Sequence, residues 1–305
     1  MSELFPVYTL RGPKDGPKGL IIAGIHGDEY EPIVAVMQLI RTLGARLLCG
    51  SLTLVPIANK SAYLAGARVG EDGLDLARTF PGDKSGSITE RVAYQISKKI
   101  RESDFMIDMH TGGNLFDILP LSGYMIHSNP RVLEMQRSMA AAFNLPVIWG
   151  TSPDLPGRTL SVARDARIPA IYTEFGGGGF HPEGIERLVA GCENVLVYFK
   201  MLPEEKRSGE VFLKIEDNEP GSGHLQRMYP APGDGVFMPQ VRLGAEVRRY
   251  DPIGEIWDYS GEVTHQVLAE KDGTVFLLRA IPRVTKGEAL AGILPQIKEK
   301  NDGKV

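Results

Sequence analysis

Cysteine is nearly absent: the chain of 305 residues has two, Cys49 and Cys192. Two thiols cannot build a disulfide framework for a chain of this length. Each sits among apolar neighbours and reads as a small buried hydrophobe, which suits a reducing cytoplasm. Long hydrophobic runs are missing too. No apolar stretch approaches the roughly 18 to 20 residues of a membrane-spanning helix, and the opening Met1-Ser2-Glu3-Leu4-Phe5-Pro6 lacks the cationic start and apolar run of a signal peptide. Nor does one charge dominate. With 34 basic and 38 acidic side chains the net charge is −4, and no basic block or RNA-binding aromatic signature occurs, so neither nucleic acid nor an anionic membrane is an expected partner. Solenoid-period repeats and low-complexity segments are also lacking. A cytoplasmic protein with a small-molecule substrate is what these absences leave.

What is present is the balance of a globular chain, 43% hydrophobic and 24% charged. The apolar run at 19–24 reads as a buried strand and is followed by helical spacing over 30–43. A strand at 51–57, a helix at 88–100, a strand at 105–109, a helix at 131–143, a strand at 170–175 and a helix at 183–200 complete the series. Strands alternating with helices predict an α/β fold with a mixed, mostly parallel sheet flanked by helices. Beyond 200 the texture changes. Residues 203–209 are polar and read as a linker, and short glycine-punctuated segments at 235–239, 246–248, 252–256 and 273–278 predict a small all-β domain. The expected division is the α/β domain over 1–205 and the small all-β domain, β-sandwich or barrel-like, over 210–305, which either walls a site on the first or builds a homo-oligomer.

Residues able to do chemistry fall at the ends of the predicted strands, where ligands gather in open α/β sheets. Gly24-Ile25-His26-Gly27-Asp28-Glu29 follows the first strongly apolar strand. An imidazole and a carboxylate three residues apart on a turn can aim at one point. Asp108-Met109-His110-Thr111-Gly112-Gly113 ends another strand and supplies a third donor. His26, Glu29 and His110 thus make a candidate catalytic zinc site of the His₂Glu type, one Zn2+ per chain, open to water at the fourth position. Asp108 is a candidate to orient the His110 ring. Such a site needs a base, and Glu174, running directly into Gly176-Gly177-Gly178-Gly179, is the candidate. The glycines are expected to bring backbone close to the substrate or the metal. Arg68 and Arg78 lie in an irregular stretch between strand and helix, and arginine can stabilise an oxyanion or clamp a carboxylate.

The series His26-x-x-Glu29, Asn59, Arg68, Asp75-Leu76-Ala77-Arg78-x-Phe80-Pro81-Gly82, Asp108-x-His110 and Glu174-Phe175-Gly176 resembles the succinylglutamate desuccinylase/aspartoacylase family, carboxypeptidase-like zinc hydrolases. The resemblance implies that His26, Glu29 and His110 are ligands, Glu174 the general base, Arg68 the oxyanion stabiliser, and Arg78 with Asn59 substrate-binding. In one place the chain departs from the family pattern: Ala77 stands where asparagine is usual. The C-terminal segments are similar to the β-sandwich of biotinyl and lipoyl carriers, but Lys271, before Asp272-Gly273, lacks the neighbours of a carrier lysine and reads as a turn residue. The implied activity is zinc-dependent hydrolysis of an amide in a small N-acylated amino acid or related amine. A carboxypeptidase or peptide amidase is the alternative within enzymes, and a non-catalytic zinc-containing protein that binds acyl-amino acids is the rival outside them.

Overall fold

A computed structural model describes residues 4–203 and 211–295. Its first strands and helices are β1 (Tyr8–Arg11), β2 (Lys18–Ile22), α1 (Tyr30–Thr42), β3 (Ser51–Val55), α2 (Lys60–Ala65), α3 (Ile88–Arg101), β4 (Phe105–His110), β5 (Phe116–Ile118) and β6 (Leu121–Met125). Then follow α4 (Pro130–Phe143), β7 (Val147–Thr151), α5 (Thr159–Asp165), β8 (Ala170–Glu174), α6 (Pro182–Tyr198) and β9 (Leu213–Glu216). These strands, apart from β5, form one eight-stranded sheet in the order β1-β3-β2-β4-β8-β6-β7-β9. It is mixed but mainly parallel: only β1–β3 and β6–β8 pair antiparallel.

The central strands are apolar throughout because both faces of the sheet are covered. All six residues of β4 are buried, Asp108 and His110 included. One face packs against α3 and α5 through Val92, Ile96, Ile100, Leu160 and Val162. The other packs against α1, α4 and α6 through Ile33, Leu39, Met139, Phe143, Leu188 and Val195. Local signals set the helix limits. The α3 helix starts at a capping box in which the Ser87 hydroxyl accepts from Glu90 N and Glu90 accepts from Ser87 N, and it ends in Lys98, Lys99 and Arg101, as the helix dipole favours.

The remaining strands are β10 (Gly235–Pro239), β11 (Glu246–Val247), β12 (Pro252–Trp257), β13 (Val263–Leu268), β14 (Gly273–Arg279), β15 (Arg283–Val284) and β16 (Ala291–Pro295). They make two antiparallel sheets, β13-β12-β10-β15 and β11-β14-β16, around a core of Phe237, Ile253, Ile256, Val275 and Ile293. The expected all-β character of this region holds. Two strands cross between the halves: β9, which follows residue 210, pairs parallel with β7, while β5 pairs antiparallel with β14. Most of the expected linker at 203–209 lies outside the described residues. No helix among the described residues is long and apolar enough to cross a membrane.

Candidate metal and active site

Three neighbouring parallel strands, β2, β4 and β8, end at the same edge of the sheet. The turn after β2 carries His26 and Glu29, β4 ends in His110, and β8 ends in Glu174. His110 and Glu174 stand opposite each other in the β4–β8 register. Two glycines make the β2 turn possible. Gly24 has φ of 65°, and a Cβ on Gly27 would fall 2.0 Å from the carbonyl carbon of Ala62 in α2.

His26, Glu29 and His110 are all buried, and one donor atom from each lies within 4.8 Å of the others. Glu29 Oε1 is 2.6 Å from His26 Nδ1, and Oε2 is 2.9 Å from His110 Nδ1. The far nitrogen of each ring also meets a carboxylate. His26 Nε2 lies 3.1 Å from Asp75 Oδ1, and His110 Nε2 forms an ion pair with Asp108 Oδ2 at 3.1 Å. Each ring thus turns Nδ1 toward Glu29 and Nε2 toward a bracing carboxylate, the orientation in which a metal would replace the proton on Nδ1 while Nε2–H donates outward. Two imidazoles, each backed by a carboxylate, together with the Glu29 carboxylate can hold a metal ion. Asp108 is braced in turn by the Thr159 hydroxyl.

The ionisation of these groups follows from their crowding. Burial works to raise the Glu29 carboxyl, but His26 and His110 on either side bring it down to about 2. Burial works against a charged His110, yet Asp108 and Glu29 raise it well above the ordinary histidine value. The Asp75 carboxyl, raised by burial alone, is held far below the usual range by the hydrogen bond from His26 and the charge of Arg68. Glu174 goes the other way. Burial pushes it up to about 8, with His110 opposing and Glu29 adding to the rise. Its Oε2 is shut off from water and has no hydrogen-bond partner.

The same cavity is lined by His26, His110, Glu174, Asp108, Arg68, Ala77 and Arg78. Arg68 grips Asp75 through Nε and Nη2 at 3.1 and 2.9 Å, which leaves Nη1 3.5 Å from His26 Nδ1, on the side where the donors converge. Arg78 reaches Ala77 O at 2.8 Å and Gln226 Oε1 at 2.9 Å. Asn59 is placed elsewhere. It caps α2 by accepting from Ala62 N at 3.1 Å and is not among the residues that line the cavity. Two of the four glycines after Glu174 pair with backbone at the end of β4. Gly112 N donates to Gly176 O and Gly178 N to Gly113 O, so they lock the exit of β8 against that of β4. Gly177, at φ of 117°, has no space for a side chain beside Phe116 O.

Some cavity residues give no signal in the sequence. Arg158 precedes a short helix in a stretch of proline and glycine, and Gly223, Leu225 and Gln226 follow β9 by seven to ten positions. Asp75 stands in the motif around Arg78, but nothing in the spacing marks it as the partner of His26. Apolar wall is supplied by Ile25, Met125, Leu160 and Leu225.

The chain is similar to several known proteins. Residues 15–199 match the model of the succinylglutamate desuccinylase/aspartoacylase catalytic domain. An N-alpha-acetyl-L-2,4-diaminobutyric acid deacetylase from Halomonas elongata is 31% identical over 307 aligned positions, covering 96% of this chain and 86% of the relative. Murein peptide amidase A from Escherichia coli is 28% identical, over 52% of this chain and 70% of that protein. The product-bound structure of the ectoine utilization protein EutE (DoeB) from Ruegeria pomeroyi superposes with a TM-score of 0.88 at 26% identity, covering 96% of this chain and 89% of that one. With its catalytic-domain match spanning β2 to β8, the His-Glu-His cluster and Glu174, the chain belongs to the succinylglutamate desuccinylase/aspartoacylase family.

Proposed function

We propose that this protein is a zinc-dependent deacylase that hydrolyses the amide of a small N-acylated amino acid, with one Zn2+ per chain. The observation that carries the reading is that His26 and His110, which meet Glu29, line one cavity with an unpartnered Glu174. A zinc ion on those three donors would supply the Lewis acidity that polarises a carbonyl and acidifies water. Glu174 is the general base. It takes a proton from the attacking water and delivers it to the amine nitrogen as the C–N bond breaks, releasing a carboxylic acid and a free amine. The Nη1 of Arg68 faces the donor cluster and stabilises the oxyanion of the tetrahedral stage. Arg78 binds the carboxylate of the amino acid. Deacetylation by the Halomonas elongata relative supports an acetylated diaminobutyric acid as a first substrate to try, and the apolar wall suits a short acyl group. A binding protein without turnover has no use for a raised, unpartnered carboxylate beside the metal donors. The test is release of free amine from N-acetyl-2,4-diaminobutyrate by zinc-loaded protein. Absence of turnover on acylated amino acids together with cleavage of peptides would move the reading to a peptidase.

A further inference from the structure

Two tyrosines are buried in this fold, Tyr124 and Tyr172. A buried phenol ordinarily keeps a hydrogen-bond partner, because its hydroxyl is costly to strip of water. Tyr124 follows the rule and donates to Glu216 Oε1 at 2.7 Å. Tyr172 breaks it. Its side chain lines the cavity with Glu174 and His110, and among the described residues no group donates to its hydroxyl or accepts from it. Burial and the nearby Glu174 raise its pKa, with Arg158 opposing, so the group stays a neutral hydroxyl able both to donate and to accept. The sheet makes room for this ring. Tyr172 stands opposite Gly123 of β6 on one side and beside Asp108 of β4 on the other. A Cβ on Gly123 would fall 2.4 and 2.5 Å from two ring atoms of Tyr172 and 2.7 Å from its oxygen. Gly123 is not at a positive φ, so the backbone does not call for glycine there; the close approach of the tyrosine does.

We propose that Tyr172 is a specificity-determining residue whose hydroxyl hydrogen-bonds the polar end of the substrate's amino-acid side chain. Tyr172 and Glu174 are both on β8 and both line the cavity, and two residues of strand separate them by about 7 Å. Glu174 stands at the strand end, where it serves the amine nitrogen, and Tyr172 lies one step deeper. An amine body that enters past Glu174 therefore brings its side chain to the phenol. Met125 and Leu160 line the same cavity. Being apolar, they fit the methylenes of such a side chain and leave the Tyr172 hydroxyl as the partner for its tip. An unpaired hydroxyl discriminates against a ligand that ends in a methyl group, since that ligand takes the hydroxyl's water and returns no hydrogen bond.

This inference rests on the deacylase reading for its reaction, and the experiment separates the two. Zinc-loaded wild type and Tyr172→Phe are compared on N-acetyl-2,4-diaminobutyrate, N-acetylhomoserine and N-acetylnorvaline, whose side chains match in length and end in an ammonium, a hydroxyl and a methyl group. Binding of free homoserine and norvaline is measured by calorimetry alongside, with zinc content as the control for folding. The wild type should favour both polar ends over the methyl by at least about tenfold in kcat/KM, and homoserine over norvaline in affinity, the scale of a hydrogen bond left unmade in a buried site. Tyr172→Phe should erase the preference, losing on the polar substrates while holding or gaining on N-acetylnorvaline. An unchanged preference in a fully metallated Tyr172→Phe overturns the assignment. So does an equal loss on all three substrates, which a structural role alone would give. If nothing is hydrolysed but homoserine binds better in a Tyr172-dependent way, the subsite stands and the deacylase reading falls. Hydrolysis without a preference in the wild type overturns the subsite alone, and absence of both overturns both.

Discussion

Asp75 divides its carboxylate between two partners: Oδ1 lies 3.1 Å from His26 Nε2 and Oδ2 lies 2.9 Å from Arg68 Nη2. One side chain thereby sets both the ring that faces the metal position and the guanidinium proposed to face the oxyanion. Asp75→Asn keeps the shape but removes the charge that holds both. It should weaken zinc affinity by about 10 to 100-fold, the usual cost of losing such a brace, and lower kcat as well. Chelator competition and steady-state rates measure the two effects. Full affinity with full activity in the variant would show that Asp75 braces neither.

Zinc content should be close to one per chain, and His26→Ala or His110→Ala should lose most of it, as elemental analysis will report. The raised His110 adds a pH signature. In the metal-free protein its contribution to stability is whole below the unfolded value of 6.5 and is lost as pH climbs through the raised folded value. Zinc must displace any proton on the donor nitrogen, so stabilisation by zinc should grow over the same climb. Thermal unfolding against pH, with chelator and with zinc, should therefore give curves that diverge upward in pH. Parallel curves would count against His110 as a ligand.

Glu174→Gln should keep its metal and lose turnover by roughly 10² or more, the scale of general-base catalysis. A base must be ionised, so the acidic limb of kcat/KM against pH should belong to Glu174. The group titrates near 8 without metal, and a nearby dication favours the carboxylate, which brings the limb lower. A limb that persists unchanged in Glu174→Gln assigns it to another group.

Ala77 lines the cavity beside Arg78 where the family usually has asparagine. The missing amide is a missing contact, and a hydrogen bond to a charged group contributes on the order of 1.5 to 3 kcal/mol. Acetyl-aspartate and succinyl-glutamate should be poor substrates compared with an acylated amine of neutral or basic body. Ala77→Asn should improve the diacids most. If the wild type already prefers acetyl-aspartate and the variant leaves that preference alone, position 77 does not set specificity.

Lys271 is exposed on the bend between β13 and β14, the placement a carrier lysine would need. Intact mass should nonetheless match the unmodified chain apart from methionine processing, and Lys271→Ala should leave activity unchanged. Biotin or lipoate on that residue would reverse the assignment.

The sequence made the centre of the sheet legible because apolar runs such as those of β2, β4 and β8 have few other uses, and the donors at their ends inherit that clarity. It hid β6 and β7, where Leu121-Ser122-Gly123-Tyr124-Met125 and Val147-Ile148-Trp149-Gly150-Thr151 carry glycine and no alternation. Burial on both faces removes the period by which a strand is recognised. Short α2 and α5 escape for lack of length, with six and seven residues. Asp75 and Arg158 escape for another reason. Their importance lies in partners far along the chain, and no local pattern encodes a meeting between residues 26 and 75 or 158 and 223.

The crossing of strands between the halves bears on how such a protein can be inherited and cut. A chain ending near residue 203 would leave the β7 edge without β9, an unpaired strand edge of the kind that recruits other chains. It would also take away the β14 partner of β5, which follows His110 by a few residues, and the residues that hold Arg158 and Arg78. The two parts are therefore not exchangeable modules. A gene that recombined a new C-terminal half onto this N-terminal half would have to restore a sheet edge, a strand partner for β5 and a cavity wall in a single step.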